Sequence, residues 1–115
     1  AAVRDAAMIV TATTSREPVF PDAARGDVFV AAVGSFTPEA AEVPASLVSR
    51  AALYVDDRAA ALVEAGDFLR AGVDWGEVAA LEDILDAPPP PAGPVVFKTV
   101  GHALFDLAAA KLACA

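Results

Sequence analysis

Three apolar runs in this chain do not alternate: Ala6 to Thr11, Val28 to Val33 and Ala52 to Val55. A strand with one wet face alternates apolar and polar residues. A continuous run belongs to a strand covered on both sides, as in a parallel sheet packed between helices. Val95 to Phe97 is a fourth, shorter run. Parallel neighbours need long crossovers, and long segments do separate these runs, so the pattern predicts α/β layering.

The segments between the runs carry helix and turn signals. Pro18 to Gly26 reads as a polar connection, and Pro44 to Arg50 as a short helix with proline near its start. Arg58 to Ala71 reads as one helix, with Ala61, Leu62, Ala65, Phe68 and Leu69 at helical spacing, Asp56 and Asp57 at its positive end, and Gly72 to stop it. Trp75 to Leu85 reads as a second, shorter helix. Pro88 to Pro91 reads as an extended surface loop, and Ala103 to Ala113 as an alanine-rich terminal helix. The 115 residues amount to one domain, and no internal repeat is visible. The chain enters its first strand almost at once from Ala1, which reads as a piece of something longer.

Composition narrows the function classes. A formal net charge of −8 and a pI near 4.3 leave no phosphate-neutralising surface, which argues against nucleic acid as a partner. No apolar run reaches the roughly 18 residues of a membrane span, so no membrane role is expected. The mean hydropathy of +0.52 comes from alanine and valine in buried strands and close-packed helices. The lone Cys114 has nothing within the chain to pair with, which fits a reducing compartment and a cytoplasmic location.

In an open parallel sheet ligands bind beyond the carboxyl ends of the strands. The first run ends in Thr11-Ala12-Thr13-Thr14-Ser15, hydroxyl residues able to line a ribose or nicotinamide edge, or simply to cap the next turn. The second ends at Val33-Gly34-Ser35, where glycine admits a planar ring or serves a turn. The last ends in Lys98-Thr99-Val100-Gly101-His102. There a strand meets a helix, its bare N–H groups could hold an anion, and Thr99 could cap the helix. Together these ends read as one wall of a nucleotide crevice. His102, the single histidine, has no carboxylate at triad or metal spacing, which weighs against catalysis. Asp56-Asp57 and Glu64/Asp67 lack His or Cys partners, so they read as solvated helix-start charges and no metal is expected.

Five segments, in order, resemble the ornithine cyclodeaminase/mu-crystallin family: Val10 to Pro18, Ala32 to Glu39, Leu53 to Arg58, Glu64 to Asp67 and Phe97 to Gly101. Within it the likeness is to bacterial cyclic ketimine reductases, which form L-proline from Δ1-pyrroline-2-carboxylate and L-pipecolate from Δ1-piperideine-2-carboxylate. The resemblance implies part of a Rossmann-like doubly wound parallel sheet with flanking helices. Residues 1–115 would be the later part of an NAD(P)-binding domain plus its return segment, with the glycine fingerprint and the dimerisation domain lying elsewhere in the family. It implies NADPH or NADH as cofactor, a small cyclic imino acid as substrate and a homodimer as the intact protein. Thr13, Thr14, Val33 and Thr99 would border the cofactor, and Val100 and Gly101 would face the substrate. Where ornithine cyclodeaminases carry a proton-transferring Asp and a Lys after the strand-end glycine, this chain has Phe36 and Ala40. That departure favours hydride delivery to a preformed C=N bond over deamination. Nucleotide and small-ligand binding without turnover, as the mu-crystallin scaffold allows, is the alternative. The 115 residues alone are expected to be inactive and to bind NADPH weakly.

Overall fold

The computed structural model describes residues 2–86 and 92–114. Five parallel strands form one sheet in the order β1-β2-β5-β3-β4. They are β1 (Met8–Thr11), β2 (Phe29–Ala32), β3 (Ala52–Val55), β4 (Val78–Ala80) and β5 (Val95–Lys98). The four apolar runs all become strands. The helices are α1 (Ala45–Val48), α2 (Arg58–Glu64), α3 (Gly66–Ala71) and α4 (Ala103–Ala113). The proline run at 88–91 lies outside the described residues.

The register pairs Val30 with Val96 and Val96 with Leu53, then Ala32 with Lys98 and Lys98 with Val55. One face of the sheet therefore carries Val30, Ala32, Val55, Val78, Ala80, Val96 and Lys98, all buried. The apolar members pack with Leu47 and Val48 of α1, Ala61 of α2 and Phe68 of α3 in a single core. The other face carries Met8 and Val10, both exposed, and half-buried Phe29, Ala31, Tyr54 and Phe97. Coverage on both faces was the expectation. Among the described residues α1, α2 and α3 all join the core on one face. The topology gives the reason: the connections β1 to β2, β2 to β3 and β3 to β4 all step the same way across the sheet. Right-handed crossovers stepping one way lie on one side.

Two helix expectations need correction. Arg58 to Ala71 is not one helix, because Ala65 leaves helical geometry at ψ 76° and separates α2 from α3. Gly66 there lies against the backbone carbonyls of Thr37 and Ala40, and a Cβ would approach both inside 3.0 Å. The chain bends to make that approach, and α3 then ends at Gly72 with φ +66°. Trp75 to Leu85 is not a helix either. Val78–Ala80 adds an outer strand to β3, and only Leu81–Ile84 turns as a 3₁₀ helix. The Arg58 guanidinium fixes this hairpin-free entry by donating to the carbonyls of Trp75 at 2.9 Å and Val78 at 2.6 Å.

Candidate functional site at the strand ends

The carboxyl ends of β1, β2, β5 and β3 lie side by side, which brings Thr13, Val33, Thr99 and Asp56 to one edge of the sheet. Thr13 and Thr14 are exposed. The Thr13 hydroxyl accepts the Ser15 N–H at 3.2 Å, so it does cap the next turn. Val33 is 44% exposed and Phe36 54% exposed, leaving an open apolar platform past β2. Thr99 and Val100 are half-buried, and Gly101 is exposed in the left-handed region at φ +84°.

Beneath this rim are buried acids that read from sequence as solvated or went unremarked. Glu42 is fully buried and accepts the N–H of Thr13 at 2.5 Å and of Gly34 at 2.7 Å, tying the end of β1 to the end of β2. Burial alone would raise its pKa, but the hydrogen bonds from Thr13 and Gly34 outweigh it and hold the carboxyl below its ordinary value. Gly34 has a structural reason for being glycine: a Cβ would fall inside 3.0 Å of the Thr13 backbone and the Glu42 carboxylate. Asp67, also buried, accepts the Ser35 hydroxyl and the N–H groups of Glu42 at 2.7 Å and Val43 at 2.9 Å. It is a clamp on the loop after β2, not a surface charge.

Asp56 corrects two further expectations. Its carboxylate accepts the Thr99 hydroxyl at 2.5 Å, the Val100 N–H at 3.1 Å and the Gly101 N–H at 2.9 Å. The strand-to-helix junction thus presents no bare N–H at Val100 or Gly101, because an internal anion already holds both. Nor does Thr99 cap α4. The cap is His102, whose Nδ1 accepts the Leu104 N–H at 3.1 Å. Asp57 keeps the helix-start role foreseen for it, accepting the Ala60 N–H at 2.7 Å.

Lys98 is the remaining buried charge. Its Nζ donates to the carbonyl oxygens of Ala32 at 3.0 Å and Thr99 at 2.7 Å. Burial lowers its pKa from 10.5, while the charges of Asp67, Glu42 and Asp56 pull it back up. A lone acid within Ala40-Ala41-Glu42-Val43 and a lysine closing an apolar strand were the available signals for this layer. Among the described residues no group of three His, Cys, Asp or Glu side chains is placed to hold a metal, and no helix is long and apolar enough to cross a membrane.

Among the described residues the titratable side chain next to the Thr99–Gly101 turn is His102, whose Nδ1 is taken up as the cap of α4. The arrangement supplies an apolar shelf at Val33, a hydroxyl edge at Thr13 and Thr14, and a rigidly held Thr99–Gly101 turn.

Known proteins share this chain pattern. The chain is 52% identical to Δ1-pyrroline-2-carboxylate reductase 1 of Burkholderia multivorans over 106 residues, covering 92% of the chain and 34% of that protein. It is 39% identical to the ketimine reductase mu-crystallin of Mus musculus over 114 residues, covering 96% of the chain and 36% of that protein. Among solved structures it superposes with a TM-score of 0.85 on the Δ1-pyrroline-2-carboxylate reductase of Thermococcus litoralis in complex with NADH and L-proline. That pair is 30% identical, with 97% of this chain and 38% of the other covered. The chain thus spans about a third of the length of the relatives it matches, and its parallel sheet is Rossmann-like. The ornithine cyclodeaminase/mu-crystallin family model matches residues 1–114, and the chain belongs to that family.

Proposed function

We propose that the intact protein carrying this chain is a cyclic ketimine reductase, which reduces Δ1-pyrroline-2-carboxylate to L-proline and Δ1-piperideine-2-carboxylate to L-pipecolate with NADPH or NADH. The observation that carries this reading is the fold, which superposes at a TM-score of 0.85 on a reductase holding NADH and L-proline. The residues present fit the nicotinamide end of such a cofactor. Val33 is an exposed apolar shelf with the small Gly34 behind it, and Thr13 and Thr14 offer hydroxyls at the same rim. They do not fit a pyrophosphate, since Asp56 takes the Val100 and Gly101 N–H groups.

A bound nicotinamide would supply the hydride to the imine carbon, with the nitrogen's proton either already carried by a protonated imine or taken from water. This chain's part is orientation. Val33 carries the ring face, Thr13, Thr14 and Thr99 border the cofactor, and Val100 with Gly101 faces the substrate, held by Asp56. Phe36 moves no proton, so an already formed C=N bond suits this rim better than the deamination of ornithine. A cytoplasmic homodimer and a place in proline metabolism accompany the reading.

NADPH and NADH oxidation by the intact protein with Δ1-pyrroline-2-carboxylate, run beside ornithine with NAD, tests it. Turnover with the ketimine alone is the expected result. Turnover with ornithine would replace the reading with deamination, and nucleotide binding without turnover would replace it with a binding role.

A further inference from the structure

Lys98 is the one fully buried cation among the described residues, and the reductase reading gives it no task. It ends β5, the central strand, between β2 and β3. The Ala32 carbonyl at the end of β2 accepts both its Nζ at 3.0 Å and the Thr99 N–H at 3.1 Å. The same Nζ reaches back to the Thr99 carbonyl at 2.7 Å. One ammonium thereby joins the two strand ends that continue into Val33 and into the Thr99–Gly101 turn. No ion pair forms between Nζ and a carboxylate among the described residues. Asp67, Glu42 and Asp56 act on it through space. A cation kept only to fill volume is replaceable by an apolar side chain at little cost, and often with a gain. This one is spent on two main-chain carbonyls: an apolar replacement would leave the Ala32 carbonyl with the Thr99 N–H alone and take the ammonium away from the Thr99 carbonyl.

We propose that Lys98 is a positioning residue, whose ammonium sets the separation of the β2 and β5 ends and so places Val33 against the Thr99–Gly101 turn. The assignment rests on the reductase reading only for what those segments do, not for the arrangement. Three buried carboxylates around a single cation explain why the site holds an ammonium. Each of them clamps a neighbouring loop, and the buried cation, which feels all three through space, balances part of their charge.

The test is hydrogen–deuterium exchange of the intact protein, comparing the wild type with Lys98→Met and Lys98→Arg. The expected result is exchange faster by ~10-fold or more in Lys98→Met, confined to segments 31–35 and 98–102, with β3 unchanged and Lys98→Arg close to wild type. Equal loss of protection in β3, no loss anywhere, or an Arg variant as loose as the Met variant overturns the assignment. If Lys98→Met does not fold, Lys98→Gln keeps a donor for one carbonyl and loses protection only in the same two segments; uniform loss there overturns it as well. Ketimine reduction is read on the same preparations, where misplacing the rim lowers kcat on the order of 10- to 100-fold with KM little changed. A wild type with no turnover but the expected exchange pattern sinks the reductase reading and leaves Lys98 standing. Turnover with unchanged exchange in the Met variant does the reverse.

Discussion

Glu42 shows how much one residue does at this rim. It sits eight positions after Gly34 and 29 after Thr13, and joins both through their N–H groups. Its folded pKa lies below the ordinary 4.5, so it adds stability that is present above 4.5 and lost as pH falls through the lower folded value. Urea unfolding across pH 3 to 7, an interval chosen to span that loss, should therefore give a shallower acid slope for Glu42→Gln than for the wild type, with lower stability at pH 7. Lys98 slopes the same way in a different window: with its folded pKa lowered by burial, the charged form is disfavoured on folding, and stability rises with pH as 10.5 is approached from below. Gly34→Ala tests the packing beneath the same rim. The added Cβ would meet Thr13 main chain, which cannot swing aside as a side chain end can, and the cost should be about 2 kcal/mol or more by chemical denaturation.

Elements differ sharply in what they contribute. Phe68 of α3 is fully buried, in contact range of the tilted Trp75 ring at 6.2 Å between centroids, and sits in the core cluster. Leu112 of α4 is 81% exposed, and every residue of that helix is exposed. Phe68→Ala should destabilise the chain by about 3–5 kcal/mol, whereas Leu112→Glu should change its stability by no more than about 0.5 kcal/mol; thermal unfolding of the two variants checks both. The same contrast explains where element prediction worked. β1, β2, β3, β5 and α4 were legible because their signals are local: apolar runs, and an alanine-rich stretch. β4 was not, because Val78-Ala79-Ala80 is too short to separate strand from helix by period, and what decides is the free side of β3 waiting beside it. The break at Ala65 was equally hidden, since it answers to the carbonyls of Thr37 and Ala40 from another part of the chain.

Across the whole molecule the sheet has a packed face and a half-exposed one, and its outer strand β1 shows Met8 and Val10 at 63% exposure each. An outer strand with apolar side chains invites pairing with another chain, while a net charge of −8 opposes it. The isolated 115 residues should self-associate at micromolar concentration, more strongly as salt screens the charge, and Val10→Lys should shift sedimentation toward monomer. A sharp wild-type monomer boundary at high salt would contradict this.

The sequence by itself determined the layering, the parallel strands and the family, because continuous apolar runs and five ordered segments survive without knowledge of any contact. It also located the rim, since a parallel sheet exposes its strand ends wherever those runs stop. Only the tertiary structure decided that Asp56, Asp67 and Glu42 face inward, that the N–H groups of Val100 and Gly101 are already taken, and that Lys98 joins two strands. The reason is physical. A charged residue next to a strand looks solvated until the loops that bury it are in place. Most partners of these charged residues lie 24 to 66 residues away, where no local pattern reaches.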